Sequence, residues 1–143
     1  MKTVIVTAII ALTSTVAAAD QATYERYVGK FYQFDFCVGI ADVLESDYLD
    51  EIMEVVGEDA AIEVKNIRAF ETDIIFQVGD DTSMNKIWKK KFYDYIFESR
   101  GQTDGWSYAT KFYKAAGIEA TVNNFLAQCK IKLAGTSNYS QLF

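Results

Sequence analysis

From Thr82 onward, apolar residues return every three or four positions, the period of a helix that buries one face. Met84, Ile87, Trp88, Phe92, Tyr95 and Ile96 share such a face, with Thr82 or Ser83 as the cap and Gly101 as the stop beyond Ser99. A second helix starts at Thr103 or Asp104, carries Trp106, Ala109, Phe112, Tyr113 and Ala116, and ends at Gly117. A third runs from Ile118 or Glu119 through Val122, Phe125, Leu126, Cys129 and Leu133 to Gly135. Connections this short place consecutive helices side by side. The tail, residues 136–143, has no period and reads as loose.

The first half carries two periods at once. Tyr24, Tyr27, Val28, Phe31, Phe34, Val38 and Ala41 make one face of a helix from about Gln21 to Glu45. Tyr32, Phe34, Phe36, Val38 and Ile40 also alternate, as in a half-buried strand. The lead-in "QATYERY" and the continuation "IADVLES" favour the helix. "DYLDEIMEVVG" reads as a short helix ending at Gly57. Between Ala60 and Val78, a helical set (Ala60, Val64, Ile67, Ile74, Val78) competes with an alternating one (Phe70, Ile74, Phe76, Val78). The fold expected is an all-α bundle of about five to six helices around an aromatic-rich first helix. The alternative is α+β, with a small hairpin around residues 62–78.

As a helix, residues 31–44 are apolar nearly all round, which suits the middle of a bundle. Their polar exceptions, Asp35, Gly39 and Asp42, line up with Ser46 in one narrow stripe. That stripe is either the seam where the helix reaches solvent or the polar floor of a groove. The tripeptide Lys-Phe-Tyr recurs at Lys30, Lys91 and Lys111, at unequal intervals that exclude a regular array. Each copy has a simple reading in a helix: Phe inward, the Tyr hydroxyl toward water and the Lys stem along the edge.

The amino-terminal end changes the setting. Residues 1–19 have one early charge, Lys2, then an uncharged run closing on Ala17-Ala18-Ala19, the pattern of a signal peptide cleaved near Ala19. The run is too short and too rich in Thr and Ser for a membrane span, so no stable membrane insertion is expected. Cleavage leaves one helical domain, residues 20–135, with the tail behind it, in a secreted or periplasmic setting. There Cys37 and Cys129, both flanked by apolar residues, are expected to pair. Loss of Lys2 leaves 13 cations against 20 acids, a net charge of −7. That sign argues against nucleic acid, whose binding needs clustered cations.

The chain contains no histidine. A Ser-His-Asp triad, a Cys-His pair and a conventional catalytic zinc site are therefore excluded, and no phosphate-binding glycine loop is present. No catalysis, cofactor or metal is expected. Asp47, Glu51, Glu54 and Glu58 form an acidic helical stripe. Trp88, amid Lys86, Lys89, Lys90 and Lys91, and Trp106 are rigid aromatic anchors of the kind partners bury. The candidate binding surface therefore comprises Asp35, Asp42, Asp47, Glu51, Glu54, Trp88 and Trp106. "FCVGIADVL", residues 36–44, resembles the cysteine-glycine-aspartate helix of small periplasmic immunity proteins that neutralise toxic amidases, over those nine residues alone. The resemblance implies only that such an architecture suits a binding role. The expected function is binding another exported protein, as an inhibitor, immunity protein or chaperone does. The alternatives are a carrier holding an apolar small molecule in an aromatic-lined cavity, and a carboxylate-dependent hydrolase.

Overall fold

Val38, Gly39, Ile40 and Ala41 follow one another in the first helix and all four are buried, which requires a helix covered on every side. This helix, α1, spans Lys2–Val55. It is followed by α2 (Glu58–Asn66), a 3₁₀ turn (Ile67–Phe70), α3 (Glu71–Asp80), α4 (Lys86–Glu98) and α5 (Gly101–Gln128). The computed structural model describes the backbone of residues 2–129 and the side chains of residues 19–129 apart from 69, 70 and 73. Expectations for Leu133, Gly135 and the tail lie outside the described residues. No strand occurs among the described residues, and no described helix is long and apolar enough to cross a membrane.

Helical structure covers 2–55, 58–80, 86–98 and 101–128, four runs in place of the five to six expected, the last of them kinked at Gly117, where the sequence placed the boundary between two helices. Ser46 and Asp47 do not interrupt α1, because both lie exposed on its outer side, where polar residues do not oppose helix. The hairpin alternative for residues 62–78 is overturned as well. Ala60, Val64, Ile67, Ile74 and Val78, the helical set, are all buried, whereas Phe76 of the alternating set is exposed. The cap of α4 is Asn85, not Thr82 or Ser83: its Oδ1 accepts from the amides of Ile87 and Trp88 at 3.0 and 3.1 Å. Its Nδ2 donates to Asp20 of α1 at 2.8 Å, which ties the start of α4 to the central helix.

Gly101 does not end α4; it opens α5 and is buried against α1. A Cβ there would come within 2.7 Å of the Tyr32 carbonyl oxygen. One on Gly105 would overlap the Phe36 carbonyl, and one on Gly39 the Gln102 carbonyl. Three glycines on two helices thus allow backbone to meet backbone. Asp35 completes the contact by accepting from the Ser99 hydroxyl (2.8 Å) and from the Gln102 amide (3.1 Å), one of the unpaired amides that open α5.

A straight helix would carry Cys129 about 36 Å from Gly105. Yet Gly105 meets Phe36, and Cys129 is bonded to the next residue, Cys37. The conflict is resolved at Gly117, whose φ of 83° and ψ of 178° break the helical path. Its first half follows α1 in parallel, from Tyr32 up to a stack of Tyr113 on Tyr48 with ring centroids 4.0 Å apart. The second half returns, burying Ile118, Val122 and Phe125, to the disulfide. Both arms therefore straddle α1.

The remaining core is aromatic. Phe31 and Phe92, from two of the Lys-Phe-Tyr copies, are fully buried and meet edge to face at 5.9 Å, with Tyr27 and Tyr95 on the same rings. Phe112 of the third copy is half-buried. The Tyr32 hydroxyl does not simply face water; it donates to Asp104 of α5 at 2.5 Å.

Two outcomes follow. Gly105→Ala should lower stability by about 1–3 kcal/mol or more, because two backbones must separate. Gly29→Ala, where an added Cβ meets nothing within 4 Å, should raise stability by about 0.5–1 kcal/mol; urea titration of both variants measures the contrast. Replacing Cys37 and Cys129 together by Ala opens a loop with a sequence separation of 92. On the chain-entropy model this costs roughly 4–5 kcal/mol, read as a drop in the urea midpoint that reductant produces in the parent and not in the variant.

Candidate partner-binding surface

Between Lys30 and Lys65 the chain carries no lysine or arginine. The carboxylates of that interval gather toward the end of α1 and the start of α2. Ile52 is buried and fixes the orientation of the last turns of α1, leaving Asp47, Asp50, Met53 and Glu54 exposed at helical spacing on the outer side. The chain then bends at Gly57, whose φ is 128°. Glu58 and Asp59 occupy the first turn of α2, where the amide end of the helix favours negative charge. Ala60, Ala61 and Val64 turn inward, so Ile62 faces out beside the acids.

Met53 and Val55 are each 49 % exposed and Ile62 is 44 % exposed. Exposed apolar side chains interspersed with carboxylates supply the two ingredients of an interface, apolar contact and polar surroundings. None of the three was singled out as a site by the sequence. The available signal was Met53 lying within the acidic stripe, where a helix facing only solvent has no need of it.

The sequence-derived site residues separate into groups. Asp47 and Glu54 lie on this face, exposed. Glu51 lies half-buried at its edge and accepts from the Tyr113 hydroxyl at 3.4 Å. Asp35 and Asp42 belong to the contact between helices: Asp42 pairs with Arg68 and accepts from the Gln102 side-chain amide, joining α1, the 3₁₀ turn and α5. From Asp35 to Asp42 the polar stripe of α1 is thus taken up by α5 and Arg68, while Ser46 stays exposed. Trp88 is half-buried against Tyr24 at 5.2 Å, with the Lys91 ammonium 4.1 Å from its ring centroid. Trp106 is 55 % exposed and lines a shallow groove of about 240 Å³ with Ser107, Thr110, Lys111 and Lys114. The acidic face and the two tryptophans therefore belong to different parts of the surface.

A second cluster was not foreseen. Asp81 accepts from the Ser83 amide and hydroxyl through Oδ1 (2.8 and 2.6 Å) and from the Tyr27 hydroxyl through Oδ2 (2.6 Å), with Arg26 3.8 Å away. The Ser83 hydroxyl, then the Tyr27 hydroxyl, hold the Asp81 carboxyl down at about 2. Burial, followed by the bond to Asp81, pushes the Tyr27 hydroxyl up to about 12. Tyr27 and Asp81 also line an open groove with Phe76, Gln77 and Asp80. Sequence patterning hid this pair, because Tyr27 and Asp81 are 54 positions apart. Among the described residues no three His, Cys, Asp or Glu side chains are grouped to hold a metal ion.

The described residues form a disulfide-bridged all-α domain with acidic and apolar side chains exposed at the end of α1 and the start of α2. No protein-family model matches the chain, and neither the curated proteins nor the solved structures contain a match to it.

The Tyr27–Asp81 pair contributes to both ends of the pH–stability profile. The depressed Asp81 carboxyl contributes stability that is complete above its unfolded value near 3.8 and lost as pH falls toward 2. The raised Tyr27 hydroxyl contributes below 10 and loses that contribution as pH rises toward 12. Asp81→Asn should flatten the acid limb between pH 4 and 2, and Tyr27→Phe should reduce the alkaline slope between 10 and 12, in thermal melts across pH.

Proposed function

We propose that this chain is an exported, non-catalytic binding domain that docks a basic partner protein on the acidic surface at the end of α1 and the start of α2. The observation that carries the reading is the exposure of Met53, Val55 and Ile62 within a stretch that has carboxylates and no cation. Burying these side chains against a partner supplies apolar contact, and the surrounding acids select for positive charge and speed encounter. The leader-like residues 1–19 and the Cys37–Cys129 bridge support folding in an oxidising compartment outside the cytoplasm.

Two other readings have less support. The rings that would line a carrier's cavity, Phe31, Phe34 and Phe92 with Tyr27 and Tyr95, are packed on one another. A carboxylate-dependent hydrolase needs an acid whose pKa rises toward neutrality. Asp81 moves the opposite way, and Asp35 and Asp42 are each held by two donors.

Affinity capture from periplasm or culture medium tests the proposal when run beside an Asp50→Lys/Glu54→Lys variant and a Met53→Asp/Ile62→Asp variant. These residues are exposed, so the variants should melt as the parent does. The expected result is a basic protein retained by the parent, lost from both variants, and held about tenfold or more less tightly in high salt. Capture that both variants preserve, or no partner above background, overturns the proposal.

A further inference from the structure

Tyr27, Phe76, Gln77, Asp80 and Asp81 line an open groove of about 510 Å³ between α1 and the end of α3. That volume is in the range of small-ligand sites. Two of its features have no use inside the fold. Phe76 is 64 % exposed, although Ile74 and Val78 on the same helix take the buried positions. Asp80 is also exposed, and it accepts no hydrogen bond and joins no ion pair among the described residues.

The other half of the groove shows what such a pair does when occupied. The Arg26 guanidinium lies 5.2 Å from the Tyr27 ring centroid and 3.8 Å from Asp81, so an aromatic face and a carboxylate together hold an organic cation. Both Asp81 oxygens are already engaged, by Ser83 on one side and Tyr27 on the other. Phe76 and Asp80 repeat the combination without a cation. Lys89 is the nearby competitor, but its ammonium donates to the Gly79 carbonyl at 2.7 Å and makes no ion pair with Asp80. Arg26 and Lys89 balance the two carboxylates in number, but Arg26 is directed to Asp81 and Lys89 to a backbone carbonyl, so the Asp80 carboxylate is left without a cation in contact.

We propose that this groove binds an organic cation, an alkylguanidinium or alkylammonium group whose carbon stem lies on Phe76 and whose charge meets Asp80. The cation could belong to a free amine or to an arginine or lysine side chain of a polypeptide; the chemistry of recognition is the same. The site is separate from the acidic face of α1 and α2 and stands or falls independently of it.

The test is an amide-resolved NMR titration of the oxidised protein with three probes: agmatine, a short arginine peptide blocked at both ends, and isopentyl alcohol as a neutral apolar control. Saturable shifts centred on Gln77, Gly79 and Asp80 are expected with at least one cationic probe and not with the alcohol. Agmatine alone saturating assigns the site to free amines; the peptide alone saturating assigns it to polypeptide side chains. Asp80→Asn should weaken binding about tenfold, the loss of one close charge pair, and Phe76→Ala should weaken it further when added to the first change. Both residues are exposed, so unchanged melting temperatures should accompany the loss. Shifts that do not saturate up to the solubility limit, an equal response to the alcohol, or binding that Asp80→Asn leaves intact each overturn the proposal. The comparison of cation with alcohol decides the question on the parent protein even if a variant folds poorly.

Discussion

The backbone contact between α1 and α5 is the constraint on which the rest of this structure depends. Helices ordinarily meet through side chains, at axial distances of about 8–10 Å. Here Gly39, Gly101 and Gly105 remove the side chains from the crossing, and carbonyl groups of each helix lie where a Cβ of the other would sit. Polar groups along that line can then bond across the crossing, so Asp35 reaches the first amides of α5 and Tyr32 reaches Asp104. One geometric choice therefore satisfies the start of α5, uses the polar stripe of α1 and brings the two chains of backbone close.

From that contact the path of α5 is determined. Its first arm follows α1, and the second must return if Cys129 is to reach Cys37. Gly117 supplies the turn, in a backbone conformation that residues with a Cβ rarely adopt. The disulfide then closes the sleeve around α1 from the opposite side. With α4 on the aromatic stripe and α2 along its later turns, residues 37–41 of the central helix are covered on every side, while its last turns carry exposed acids together with Met53 and Val55. Asp47, Asp50 and Glu54 lie on a part of α1 that the sleeve does not cover.

The break between α3 and α4 is held by a different device. Asp81 gathers Ser83, Tyr27 and Arg26, while Asn85 caps α4 and grips Asp20. Both polar hubs join the loop to the Asp20–Tyr27 stretch of α1, so the groove beside Phe76 has one wall on the central helix and one on α3. A carboxylate that accepts from three donors is held in one orientation, so the Asp81 wall of the groove is fixed by the fold.

Some of this was determined by the sequence alone. A periodicity of 3.6 marks residues that share a face whatever that face meets, so helices, their buried stripes and the centrality of residues 31–44 could be read directly. The pairing of Cys37 with Cys129 followed from there being two cysteines in apolar surroundings. Periodicity is a local signal, however, and it says nothing about which helix lies opposite. Gly101 read as a stop because glycine weakens helices; in the fold it begins one, since its missing Cβ is needed by Tyr32, far away in the chain. Asp35 and Asp42 read as possible site residues because an acid on an apolar helix needs an explanation, and only the arrival of α5 supplies it. Tyr27 with Asp81, and Phe76 with Asp80, are joined by folding over distances no pattern spans. Local spacing determined what each helix would bury; the close crossing of two glycine-bearing helices decided which polar groups remained on the surface.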